Sequence, residues 1–176
     1  FARFITSNYK KWISSESDSP LLSFNLLKRK VFPILKSKEP ILFLLIDNLR
    51  YDQWKVIASL IEDHYEKQDE TSYCSIIPTS TQYSRNSIFS GLTPYQTQKI
   101  YPELWVDESD ERGKNLYEKE FLKKQLERLN IQISFEYYKV LNLKDASKLL
   151  KDFENKKNYD LTVVVYNFVD ILSHAK

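Results

Sequence analysis

The spacing of hydrophobic positions changes several times along the chain. Apolar side chains recur at Phe1, Phe4, Ile5, Tyr9, Trp12 and Ile13, which predicts a helix, and residues 21–35 carry a second helical stretch that Pro33 ends or kinks. Between them residues 14–20 are polar and turn-rich and read as a linker. At Ile41–Ile46 the pattern becomes a short unbroken apolar run, which predicts a strand buried on both faces. Helical spacing returns over 51–67 through Trp54, Val56, Ile57, Leu60, Ile61 and Tyr65. A weaker strand signal covers 72–77, and a helix over 83–89 is expected to end at Gly91, with Pro94 soon after. Residues 108–115 are charged and loop-like, 116–129 helical, 131–141 a strand, 143–153 a helix and Leu161–Tyr166 the last strand. Strands alternating with helices predict an α/β fold, a mainly parallel sheet sandwiched by helices. This main domain is expected to span 38–176, after a helical connector over 1–37. No internal repeat or low-complexity tract interrupts it.

Composition narrows the classes. The chain has 176 residues, 42% of them hydrophobic and 14% aromatic, which is a globular composition. A net charge of +2 argues against holding long nucleic acid by charge alone, but leaves room for a small phosphorylated substrate. Only Gly91 and Gly113 are glycines, so dinucleotide-binding and P-loop fingerprints are absent. Cys74 is the single cysteine, which excludes a disulfide framework and a cysteine zinc cluster and fits a reducing, cytoplasmic setting. No apolar run reaches transmembrane length and no leader pattern precedes the first helix, so no membrane insertion is expected. The chain starts at Phe1 and stops at Lys176, and reads as a fragment of a longer protein.

Three separated fragments carry candidate chemistry. Asp47 directly follows the first strand, where ligands of open α/β sheets bind, and its carboxylate reads either as a cation ligand or as an N-cap for the next helix. Thr81, in Pro78-Thr-Ser-Thr-Gln-Tyr83, lies between a strand and a short helix. Its hydroxyl can attack phosphorus if a base or metal activates it, and the helix start can hold phosphate oxygens. The alternative makes Thr79, Ser80 and Thr81 caps and turn residues. Asp170 and His174, in Asp-x-x-x-His spacing after the last strand, place an oxygen and a nitrogen donor on one face of a helical turn. Arg85, Asn86 and Arg50 are candidates for contact with phosphate oxygens, with a surface salt bridge as the other reading of Arg85. His64 lies on a solvated helix face.

Read together, these residues resemble the alkaline phosphatase superfamily. Leu45-Ile-Asp-Asn-Leu-Arg-Tyr-Asp52 looks like its first metal motif, which usually has Asp-Gly where this chain has Asp47-Asn48. Pro78-Thr-Ser-Thr-Gln-Tyr-Ser-Arg-Asn-Ser-Ile-Phe-Ser-Gly91 resembles the nucleophile segment of its nucleotide phosphodiesterases, with Thr81 at the nucleophile, and Asp170-Ile-Leu-Ser-His174 its Asp-x-x-x-His pair. The wording is similar to the PglZ domain, in particular the output domain of PorX-type response regulators, associated in Bacteroidetes with type IX secretion. The resemblance implies a zinc phosphodiesterase acting on nucleotide or oligonucleotide phosphodiesters, with Asp47 and Thr81 on one zinc and Asp170 and His174 on a second. It further implies a two-component system with a sensor histidine kinase, a homodimer formed on receiver phosphorylation, and type IX secretion components as partners. The superfamily's later Asp-His pair and further His do not occur here, and Ser84 stands where many phosphodiesterases have asparagine. The fragment alone is therefore expected to be inactive. The alternative is a non-catalytic regulatory module that controls type IX secretion through protein contacts.

Overall fold

The β-branched run at Leu161–Tyr166 forms the middle of a sheet, because a central parallel strand is flanked on both edges and favours stiff apolar side chains. In the computed structural model, which describes residues 1–15, 19–106, 115–154 and 159–174 without the side chains of Glu154, Phe168 and His174, two compact units are present. One unit joins Ile34–Thr71 to Ile133–Lys176, and the other joins Phe1–Pro33 to Ser72–Gln132.

The first of these holds the sheet. Strand β1 is Ile41–Ile46 and is followed by helix α2, Tyr51–Ile61, the number α1 belonging to the other unit's Ala2–Ser14. Strand β2 is Phe135–Val140, helix α6 is Leu143–Glu154, strand β3 is Leu161–Tyr166 and helix α7 is Phe168–His174. The strand order is β1-β3-β2 and both pairings are parallel, with Ile46 and Val140 each opposite Tyr166. This is the α/β architecture with a parallel sheet that the alternation predicts. Leu161, Val163, Val164 and Val165 of β3 are buried.

Strand β1 departs from its expectation of burial on both faces. It is an edge strand, and Leu42 and Leu44 are 54% and 50% exposed while their neighbours in the strand are half-buried. An apolar run specifies a strand without specifying which face is covered. Helix α2 also stops six residues short of the expected 67. The Tyr65 N–H returns to the Ile61 carbonyl, and Glu70 then accepts from Tyr51 Oη, Lys55 Nζ and Lys67 Nζ, which folds the following chain back beside the helix.

The amino edge of the sheet is closed by a reciprocal pair. Ser134 donates its N–H and its hydroxyl to Asp160 Oδ2 at 2.7 and 2.8 Å, and Asp160 N–H returns to Ser134 Oγ. These two donations, the backbone one first, hold the Asp160 carboxyl below its ordinary pKa.

The second unit is helical. Helix α1 lays Tyr9, Trp12 and Ile13 against a core of Leu22, Phe24 and Ile76. The helix expected over 21–35 is instead a tight turn at Ser23–Asn25 followed by a wide turn at Leu27–Val31, in which Phe32 N–H reaches the Leu27 carbonyl at 2.8 Å. The cause is local. Asn25 Oδ1 takes the Leu22 N–H, and Pro33 has no N–H with which to continue a helix.

Residues 72–77 are not a sheet strand either. Their one strand-like pairing is an isolated bridge between Leu22 and Cys74. The Cys74, Ile76 and Ile77 N–H groups go to Leu21 O, Ser23 Oγ and Tyr9 Oη, so the backbone donors that a sheet would use are taken by a loop and two side chains.

Helix α3 is Thr81–Ser90, α4 is Pro94–Ile100 and α5 is Glu118–Arg128. Helix α4 was not anticipated, although Thr93-Pro-Tyr-Gln96 is a capping box with proline in the first turn, and Thr93 and Gln96 do cap each other. The core of this part is Ile88, Phe89 and Leu92 with Phe121, Leu122 and Leu126. The charged stretch expected at 108–115 lies outside the described residues apart from Asn115.

Gly91 ends α3 in the left-handed region at φ 63°, and a Cβ there would lie 2.2 Å from Gln125 Nε2. Gly91→Ala is expected to destabilise the protein by about 1–3 kcal/mol from the left-handed backbone alone, and by more once Gln125 must move. A urea denaturation midpoint equal to that of the wild type would contradict both causes.

Candidate functional site

Parallel pairing sends the carboxyl ends of all three strands to one edge of the sheet. Asp47 is the first residue past β1, and its N–H donates to the Tyr166 carbonyl at 3.1 Å. Asp170 follows Tyr166 by four residues, in the first turn of α7. The fold thus brings the first and third sequence fragments to one sheet edge, with both carboxylates half-buried. His174 closes α7, and its side chain lies outside the described residues.

The turn after Asp47 is sharp. Asn48 sits at φ 60°, the left-handed region, which asparagine tolerates better than other residues with a side chain. Its side chain crosses to the third fragment: Asn48 Nδ2 donates to Ser173 Oγ at 2.6 Å, and Ser173 Oγ donates to the Asp170 carbonyl at 2.7 Å. Asp47 does not cap α2. Arg50 occupies the N-cap position there, and Gln53 Oε1 accepts the Arg50 N–H at 3.0 Å. Arg50 also closes a two-pronged pair with Asp52, at 2.9 and 2.7 Å, on the surface.

Thr81, Arg85 and Asn86 lie in the helical unit, on α3. Thr81 is the first residue of that helix; the Tyr83 and Ser84 N–H groups both go to the Ser80 carbonyl at 2.9 Å, and the Thr81 and Gln82 N–H groups precede the first intrahelical bond. Ser80 is the N-cap and makes no side-chain capping bond.

Arg85 departs from its expected contact with phosphate. Its side chain is 4% exposed, and its fork closes on Glu118 of α5, Nε to Oε1 at 2.7 Å and Nη2 to Oε2 at 2.6 Å. The reading of a surface ion pair is corrected too, because the pair is buried. A guanidinium with both prongs on one buried carboxylate is a brace between helices. Asn86 is also buried, and its Oδ1 accepts from Asn115 Nδ2, which reaches the Thr81 carbonyl at 3.4 Å as well.

Four residues of these two regions were missed in the sequence: Asn48, Ser173, Asn115 and Glu118. Asn48 had a usable signal, since an asparagine in the place of a motif glycine points to a left-handed backbone. Glu118 had none, because its partner is known only once α3 and α5 pack.

The oxygen donors of Asp47 and Asp170 suit a divalent cation in chemical type. Among the described residues no group of three or more His, Cys, Asp or Glu side chains is arranged to hold a metal. The two carboxylates at the sheet edge fall short of the four donors of a closed zinc site.

A sequence profile of the BREX system PglZ alkaline phosphatase-like domain matches residues 26–176. The chain belongs to the PglZ family. No curated protein matches it. PglZ membership agrees with the parallel sheet and its helices, and the alkaline phosphatase-like class is one of metal-dependent hydrolases. Among the described residues no helix is long and apolar enough to cross a membrane.

The buried brace can be separated from a substrate contact by stability. Removing either partner alone, as Arg85→Met or Glu118→Leu, is expected to cost about 3–5 kcal/mol, because the other charge is left buried and unpaired. The double variant should recover a large part of that loss. A single Arg85→Met variant as stable as the wild type would contradict the brace.

Proposed function

We propose that this PglZ domain is a zinc-dependent phosphodiesterase acting on nucleotide phosphodiesters, with Thr81 as nucleophile and Asp47, Asp170 and His174 as metal ligands. The observation that carries the reading is the alignment of Asp47 and Asp170 at the carboxyl edge of paired parallel strands, joined through Asn48 and Ser173. The family match supports the hydrolase class. Zinc, the phosphodiester substrate and the roles of single residues rest on the motifs.

In this reading the Thr81 hydroxyl loses its proton and its oxygen attacks phosphorus, the bond to the departing alcohol breaks, that alcohol oxygen takes up a proton, and a Thr81-linked phosphodiester that keeps the second ester forms. Water then attacks the same phosphorus, breaks the bond to the Thr81 oxygen, releases a phosphate monoester and restores the hydroxyl. The Thr81 and Gln82 N–H groups at the start of α3 hold phosphate oxygens through the substitution. Arg85 is left out of the substrate contacts and assigned to keeping α3 fixed on α5. Asn86 keeps its proposed place near the substrate, oriented by Asn115. Bound divalent metal supplies the positive charge that lowers the pKa of an oxygen nucleophile and offsets charge developing on phosphate.

The motif wording extends the proposal to a cytoplasmic response regulator that dimerises on phosphorylation under a sensor kinase and acts with type IX secretion components.

The deciding experiment is metal-dependent hydrolysis of a chromogenic phosphodiester by the full-length protein. Thr81→Ala is expected to lower turnover by roughly a hundredfold or more, as loss of a nucleophile does, and chelation should abolish it. Asp47→Asn and Asp170→Asn should weaken metal dependence before they weaken folding. A folded, metal-loaded wild type that turns nothing over would favour a regulatory module that signals by contact.

A further inference from the structure

Asn48 contributes separately through its backbone and its side chain. The backbone makes the left-handed turn that a glycine would make equally well. The side chain makes the bond that glycine cannot, to Ser173 Oγ, and that hydroxyl in turn donates a hydrogen bond to the Asp170 carbonyl. Asp47 and Asp170 are thus linked by one peptide bond and two short hydrogen bonds. Helix α7 is seven residues long, and its Ile171 and Leu172 are 41% and 56% exposed. So short a helix is marginal without tertiary support.

We propose that Asn48 and Ser173 form a strap that positions the Asp170 carboxylate against Asp47 for divalent metal binding. The proposal rests on the reading of these two carboxylates as metal ligands. Asn48 and Ser173 are positioning residues, since neither is assigned to the metal or the substrate. Groups that orient ligands in this way are worth about 10–100-fold in metal affinity.

The test is a Co2+ titration of the metal-free full-length protein, read by the visible absorption bands of bound cobalt, with amide hydrogen exchange of α7 measured before metal is added. Asn48→Gly keeps the turn and removes the strap, and Ser173→Ala removes its other half. Each is expected to weaken Co2+ binding by about tenfold or more, and the double variant by no more than the weaker single. Ser173→Thr restores the hydroxyl and should restore the affinity. Both losses should come with faster α7 exchange and an unchanged urea midpoint for the whole chain.

If Asn48→Gly binds Co2+ like the wild type while Asp47→Asn and Asp170→Asn do not bind, the strap is overturned and the ligand reading stands. A wild type that binds no Co2+ overturns the ligand reading and the positioning role with it. In that case α7 exchange unchanged by Asn48→Gly would also remove the strap as a structural link. Additive losses in the double variant would mean that the two side chains act independently, which also overturns the proposal.

Discussion

The in-register parallel pairing of β1 with β3 is the constraint on which the sheet unit's candidate chemistry depends. Residue opposes residue from Ile41 and Leu161 to Ile46 and Tyr166, so both strands end at the same level. Parallel strands must also point the same way, and their carboxyl ends therefore share one edge. A slip of one residue would reverse the face of every β1 side chain and move Asp47 along the edge. The slip is opposed at both ends. The Ile41 N–H goes to the Asp160 carbonyl at one end and the Asp47 N–H to the Tyr166 carbonyl at the other. The position of Asp47 at that edge is thus settled by backbone geometry, before its side chain is considered.

The helical unit depends on a different kind of contact. Glu118 and Arg85 are charged residues at 1% and 3% exposure, and neither would be stable there without the other. Their two-pronged pair fixes the rotation of α3 against α5, because a planar guanidinium meets a planar carboxylate in few orientations. That rotation in turn decides which side chains of α3 face inward. Asn86 is turned to Asn115, three residues ahead of α5. An apolar pair of equal volume would pack as well, but it would hold the rotation less tightly.

The strands that became sheet were legible because their hydrophobic runs are long and β-rich: Ile41–Ile46 and Leu161–Tyr166 were placed to the residue. The segment 72–77 was not, since Tyr73, Cys74, Ile76 and Ile77 satisfy a strand pattern whether or not a strand lies beside them. Its partners are the Ser23 and Tyr9 side chains and Leu21, remote in sequence. The same limit applies to 21–35, where helical spacing is real but Asn25 and Pro33 redirect the backbone. Burial was the least legible property of all. β1 is as apolar as β3, yet one of its faces is exposed, because composition does not tell an edge strand from a central one. At the candidate site the residue types were visible in the motifs. The inward turn of Arg85 was not, since its cause is a glutamate 33 residues away.

Asp47 and Asp170 also set the charge balance at the carboxyl edge of the sheet. Two unit charges of like sign repel by about 4 kcal/mol at 4 Å under an effective dielectric of 20. In the proposed mechanism a divalent cation would offset that repulsion, so the orientation of Asp170 by Asn48 and Ser173 would bear directly on how well the cation is held.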